Sequence, residues 1–498
     1  MGAFNRLPVS RADAILSHLN DTLPHLDLLV VNQQVRTGIH TRYLRRRFHT
    51  LMTEHPETVV LYDSRHFPES YPGAWLKIND HEALRLCGTL RPPEELVLRD
   101  EARNAAATLS QRSGTPVVVT RGARGCIVAD DAGCTILPGL QVAGPTDPVG
   151  AGDTFLAALG AGIAADAGLR QAAALANCAA SITAQKLRRT GTASPEEIRA
   201  AGADPAYVLH PERAEDPRRA VYRSGTDIEV VEEWPDTPDI RFAIFDHDGT
   251  VSVLRQGWED VMEAVMARAI LGDAFAEADE NLYRNVTARV RQFIDDTTGI
   301  QTLAQMTGLV DLVREFGLIP EQRIRSPEGY KERYNDALME RVRERLARLR
   351  RAERTVEDYT VKNAPGFLRS LHDAGVTLYL ASGTDVEDVR AEAAALGYAS
   401  LFGGRIHGAV GDLRVEAKQI VLEEIMRRID GPATSVLTVG DGPVEMRKSR
   451  RCGALALGVA SDEIRRFGLN PDKRTRLVKA GAQAVIPDFS QQKALHAF

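Results

Sequence analysis

Residues 242–250 read Phe-Ala-Ile-Phe-Asp-His-Asp-Gly-Thr. An apolar run ends in two acids one residue apart, followed by a glycine and a hydroxyl. A buried parallel strand reads as a continuous apolar run, and open α/β sheets bind ligands beyond the carboxyl ends of their strands. The stretch therefore predicts an α/β fold with Asp246 and Asp248 at its functional edge. Two carboxylates this close repel unless a cation joins them. Mg²⁺ prefers oxygen ligands, and one acid would remain as a nucleophile. An acidic turn after a strand is the plainer alternative.

Working outward, a second α/β unit starts near Ile240. A long helical stretch, about 257–353, follows its first strand, and strand-like runs return at Val376–Ala381, Ser435–Val439 and Ala454–Val459. A helical insertion after the first strand is expected to roof the strand ends. Ser382-Gly383-Thr384 follows one of these strands and suits either a phosphate oxygen at a helix N-terminus or a plain helix cap. Lys418 opens an amphipathic helix, where the dipole disfavours a cation. An anionic partner would offset that cost, and a surface position would need no partner. Gly440-Asp441-Gly442-Pro443-Val444-Glu445 ends another strand. Its two acids suit either metal ligation or a hydrogen bond to Lys418.

The order D-x-D-G-T, S/T, K, then G-D-x-x-x-[DE] resembles the haloacid dehalogenase-like (HAD) hydrolase superfamily over about 239–498. The resemblance implies Asp246 as the nucleophile that forms an aspartyl-phosphate, and Asp248 as the acid and then the base. It gives Ser382 and Lys418 the neutralisation of the transferring charge, with Gly249, Thr250, Gly383 and Thr384 around the phosphate. Mg²⁺ would be held by Asp246, the Asp248 backbone carbonyl, Asp441 and Glu445. The insertion at about 254–364 resembles the helical cap of phosphoglycolate-phosphatase-like members. Arg255 and Trp258 at its start are candidates for substrate contact, with packing as the alternative for Trp258. A small phosphorylated metabolite suits a roofed site, and a phosphatase is preferred over a mutase.

Upstream, segments within 26–203 alternate in strand and helix character, implying a first α/β unit over 1–203. Strands are expected at Leu28–Val31, Thr58–Tyr62, Pro116–Thr120 and Cys126–Ala129, and helices at Asp153–Asp166 and Leu169–Gln185. Residues 204–238, with Pro steps among charges, read as a linker. Asp147-Pro-Val-Gly150-Ala151-Gly152-Asp153-Thr opens a helix. Its glycines let backbone N–H groups crowd an anion, and Asp153 could take a proton from a hydroxyl. The motif resembles the signature of PfkB/ribokinase-like carbohydrate kinases, closest to their heptose-phosphate kinase branch. That resemblance implies ATP near Thr120, Gly122 and Asn177. It makes 150–153 an anion hole and Asp153 the general base, and gives Asn79 and Glu82 a part in organising metal and phosphates. The sugar-binding strands that relatives carry upstream are expected to be missing, so the kinase half is read as N-terminally incomplete. It could be completed by a partner chain or a homodimer, work as a kinase in a bifunctional sugar-phosphate enzyme, or bind nucleotide without chemistry.

A length of 498 residues suggests three folded units at about 150 residues each. A net charge of −6 offers no basic field for nucleic acid or an anionic membrane. The five cysteines have no metal or disulfide spacing, which points to a reducing, cytoplasmic setting. Phe155–Ala165 is too short to cross a bilayer.

Overall fold

A computed structural model describes residues 7–496 apart from 37, 143–145, 188–190, 236–237, 277, 298–301, 410–416 and 429–430. The chain divides into two compact units, Met1–Val208 and Leu209–Phe498.

The first unit is built on a six-stranded sheet in sequence order. Its strands are β1 (Leu28–Gln33), β2 (Val59–Ser64), β3 (Trp75–Asn79), β4 (Val117–Thr120), β5 (Cys126–Asp130) and β6 (Gly133–Leu137). β1 to β4 run parallel, and β5 and β6 return antiparallel. Side chains alternate between the faces of a strand. Val60 and Tyr62 accordingly pack with Leu44 and Phe48, whereas Leu61 packs with Phe155 and Leu159 on the other side. Covering both faces favours apolar runs in the parallel strands, with polar residues such as Asn32, Asp63 and Asn79 toward their carboxyl ends. Helix Ala151–Ala164 begins earlier than its apolar period suggests, because Gly150 at φ +82° lets the chain turn directly into it.

The second unit has a seven-stranded sheet of order β10-β9-β8-β11-β12-β13-β7. The strands are β7 (Glu229–Val230), β8 (Phe242–Phe245), β9 (Thr377–Asp385), β10 (Ile406–Ala409), β11 (Val436–Gly440), β12 (Leu455–Val459) and β13 (Ala484–Ile486). All are parallel except β7, which pairs antiparallel with β13. Ala243 and Phe245 face one apolar cluster and Ile244 the other.

The segment read as a linker, 204–238, has structure of its own. It holds helix Pro211–Glu215 and β7, which covers the sheet's outer edge. Glu229 takes a two-pronged ion pair from Arg474, with Nε–Oε2 and Nη2–Oε1 both 2.6 Å, while Arg474 also donates to the carbonyls of Arg213 and Ala214. Both partners are essentially buried, so either one left alone would carry an uncompensated charge.

Between β8 and β9 rise four long helices: Trp258–Leu271, Glu280–Thr297, Thr302–Phe316 and Pro327–Arg350. They enclose their own apolar cluster, including Met262, Met266, Val290, Leu309 and Tyr334. Arg345 clasps the first crossing through the carbonyls of Leu254 (2.6 Å) and Gln256 (3.0 Å). Arg466 grips the second through those of Glu357, Asp358 and Thr360. No helix among the described residues is long and apolar enough to cross a membrane.

Candidate active site

The register of the second sheet gathers the predicted residues. Phe245 pairs with Val439 on one side and Leu380 on the other. Asp246 is therefore the first residue past β8, beside Asp441 after β11 and Ser382 within β9. Asp246 N donates to Val439 O (2.9 Å), and its Oδ1 accepts from His247 N (2.8 Å). One carboxylate oxygen from each of Asp246, Asp441 and Glu445 lies within 4.8 Å of the others. Glu445 is oriented by its Oε1, which accepts from Gly442 N (2.7 Å) at the start of helix Pro443–Cys452. Three carboxylates in a largely buried recess are mutually destabilising, and this all-oxygen set fits a divalent cation such as Mg²⁺.

Gly249 holds that recess open. It has φ +73°, and a Cβ there would stand 2.2 Å from Asp441 Oδ2. Thr250, fully buried beside it, has a hydroxyl with no hydrogen-bond partner among the described residues.

Asp248 faces another way. Its Oδ2 accepts from Thr384 Oγ1 (3.0 Å) and Ser382 Oγ (3.4 Å). Its Oδ1 lies 3.4 Å from His247 Nδ1 and 3.6 Å from Arg255 Nε. Burial pushes this carboxyl up, but His247, Arg255 and Thr384 outweigh burial and hold it well below the usual range. The Asp248 side chain thus stands outside the three-acid group. It clusters instead with His247 and Glu392, where Arg255 already supplies the positive charge. Ser382 is not a helix cap either: Asp385 occupies that position before helix Val386–Ala395.

Arg255, a candidate for substrate contact, lines the cavity beneath the cap and is bound there by acids. Its Nη2 and Nε contact Glu392 Oε1 at 2.6 and 3.1 Å, and Nη2 lies 3.5 Å from Asp388. Trp258 both packs on the cap's cluster and lines a cavity of about 190 Å³ over Asp248 and Thr384. Lys418 is the second residue of helix Ala417–Arg428, and its side chain lies outside the described residues.

Three groups, His247, Glu392 and Lys473, escaped the sequence reading. His247 is fully buried with Nε2 2.9 Å from Tyr398 Oη, and Glu392 is 1% exposed. Lys473 places Nζ 2.6 Å from Asp441 Oδ2 and 2.5 Å from Glu463 Oε1. Burial disfavours the Lys473 charge, but these two acids more than offset it and push its pKa up. Lys473 was discoverable, since it sits in the first turn of helix Pro471–Lys479. That position is as unfavourable for a cation as the one that singled out Lys418.

In the first unit the helix-opening turn meets charged strand ends. Asp153 is exposed, and its Oδ1 accepts from Asn32 Nδ2 (3.2 Å) at the end of β1. Lys77, buried in β3, pairs with Asp63 of β2 at 2.7 Å. Lys77 Nζ would also lie 3.7 Å from a Cβ placed on Gly152. The other expected contacts are occupied locally. Asn79 and Glu82 form a reciprocal capping box on helix Asp80–Leu86. Thr120 Oγ1 donates to Ile78 O, and Asn177 Nδ2 to Pro138 O. Gly122 opens a short 3₁₀ turn at φ +56°.

Fold and site together define two joined α/β units, the second carrying an acid-lined phosphoryl-transfer centre under a helical cap. Family comparison assigns each: residues 9–197 match the pfkB family carbohydrate kinase, and residues 240–453 match the haloacid dehalogenase-like hydrolase. The chain joins a domain of each family. It is 25% identical over 319 residues to the bifunctional protein HldE of Desulfatibacillum aliphaticivorans, covering 61% of this chain and 59% of that protein. The chain thus spans about three fifths of that curated relative's length. Among solved structures, phosphofructokinase-2 from Escherichia coli matches with TM-score 0.32 and 20% identity, covering 38% of this chain and 61% of that one. A predicted phosphoglycolate phosphatase from Haemophilus somnus 129pt matches with TM-score 0.36 and 14% identity, covering 52% and 98%.

Proposed function

We propose that the second unit is a Mg²⁺-dependent phosphatase of a small phosphorylated metabolite, with sugar phosphates the expected class. One observation carries the reading: the two acids of the D-x-D motif are sorted, Asp246 into the three-carboxylate recess and Asp248 toward Ser382, Thr384 and the cavity. An Asp246 oxygen attacks phosphorus, and the ester bond breaks as Asp248 gives a proton to the leaving oxygen. Asp248 then takes a proton from water, whose oxygen attacks the aspartyl-phosphate and frees Asp246. The resting contacts keep Asp248 ionised, ready for the second step. A phosphate dianion arriving beside it raises its proton affinity for the first. Ser382 donates to phosphoryl oxygens, and Lys473 supplies positive charge beside Asp441, the role that the family resemblance gives to Lys418. Bound Mg²⁺, held by Asp246, Asp441 and Glu445, would neutralise developing phosphoryl charge. Purified protein should hydrolyse p-nitrophenyl phosphate with added Mg²⁺ and lose that activity on Asp246→Asn. Retained activity in the variant would sink the mechanism.

A second reading adds ATP-dependent phosphorylation of a sugar by the first unit, with Asp153 as base. The buried Lys77 beside the Gly150–Asp153 turn favours it, as a charge placed to meet phosphate. Sugar-dependent ATP consumption that disappears in Asp153→Asn would support it, whereas ATP binding without turnover would leave a nucleotide- or partner-binding domain. Association of this unit with a second copy or a partner chain is part of the same proposal. The five free cysteines suit a cytoplasmic setting.

A further inference from the structure

The cavity beneath the cap has a charge pattern that selects its occupant. It measures about 190 Å³. Since about 10–15 Å³ of such space holds one water, it takes a group on the order of ten heavy atoms. Its cations are Arg255 and Lys331, and its acids are Asp248, Asp385 and Asp388. Arg255 is bound by Glu392, Asp248 and Asp388, which leaves Lys331 as the lining cation to meet a further anion. Lys331 already faces Asp385 at 3.8 Å, and Asp388 is 37% exposed beside it. The remaining polar groups are neutral. Asn335 has no hydrogen-bond partner among the described residues, and Gln305 donates its amide N–H to Thr297, keeping its oxygen as an acceptor.

Acceptor carboxylates, amides and the indole of Trp258 match hydroxyl groups on a carbon skeleton. Among the described residues, a carboxylate would meet Asp385 and Asp388 with Lys331, itself facing Asp385, as the cation to offset them. Like charges at such range are unfavourable. We infer that the leaving group is a neutral polyhydroxylated one, a sugar or polyol, and that Asp388 and Asp385 select against substrates carrying a carboxylate. This rests on the phosphatase reading of the same site.

Glycerol 3-phosphate and 3-phosphoglycerate test it, because they differ only in CH₂OH against COO⁻. The wild-type chain with Mg²⁺ should favour the neutral ester at least tenfold in kcat/KM, and in affinity measured by calorimetry. Asp388→Asn should shrink that ratio severalfold by admitting the acid. Lys331→Met should leave the ranking intact. Equal or better turnover and binding of 3-phosphoglycerate would overturn the inference. So would a selective loss of the acid ester in Lys331→Met, which would make Lys331 an anion clamp. The calorimetric ranking reads the inference without turnover, whereas absence of Mg²⁺-dependent p-nitrophenyl phosphate hydrolysis would overturn the phosphatase reading instead.

Discussion

Both units collect charged side chains where parallel strands end, yet they use them differently. In the second unit Asp246, Asp441 and Glu445 converge on one recess, and Lys473 meets the group at Asp441. In the first, Lys77 and Asp63 neutralise each other, and the N-x-x-E residues close onto their own helix. The difference separates three acids that share one recess from a turn whose neighbouring Lys77 already has an acid partner. Identical placement at strand ends therefore says little until the partners are known.

The following experiments break or sharpen that contrast, the largest effect first. Asp246→Asn should reduce phosphate-ester turnover by about a thousandfold or more, measured on p-nitrophenyl phosphate. EDTA should do the same to the wild type, reversibly on adding Mg²⁺. Glu229→Ala leaves Arg474 buried and alone. It should destabilise the second unit by about 3–5 kcal/mol in urea unfolding, and an unchanged midpoint would refute the structural weight given to β7. Gly249→Ala forces a Cβ against Asp441 at a left-handed backbone position. The Mg²⁺ concentration for half-maximal activity should rise about tenfold, equivalent to about 1.4 kcal/mol, while Lys473→Met should raise it less. Asn79→Ala should cost only the capping bond, about 1 kcal/mol of first-unit stability. Abolished ATP binding without that modest loss would return Asn79 to a ligand role.

The apolar runs made β8, β9, β11 and β12 legible, and acids at their ends made Asp246, Asp248 and Asp441 legible with them. β3 was hidden because Trp75–Asn79 mixes Lys and Asn into a short run, and β6 because Gly133–Leu137 carries few large apolar residues. β7 was lost among prolines and charges, where composition signals a strap and only pairing with β13 makes a strand. Burial of a charge cannot be seen from one sequence. Nothing in the sequence singles out Glu392, Glu463 or Arg474, and the acids that hold Arg255 beside the cavity emerge only once the fold is placed. Thr384, by contrast, was legible from its position beside Ser382, and it is the residue that orients Asp248.

The cap keeps an apolar cluster separate from that of the sheet, and it touches the chemistry only by overhanging it. Trp258, Gln305, Lys331 and Asn335 belong to the cap, while Asp246, Asp248, Asp441 and Glu445 belong to the sheet. Mutational drift on those helices can therefore change part of what the cavity accepts without moving the acids of the reaction, while Asp385 and Asp388 tie the rest of its lining to the sheet unit. A lineage could retune its choice of metabolite on one inserted segment while the catalytic acids stay fixed at the strand ends.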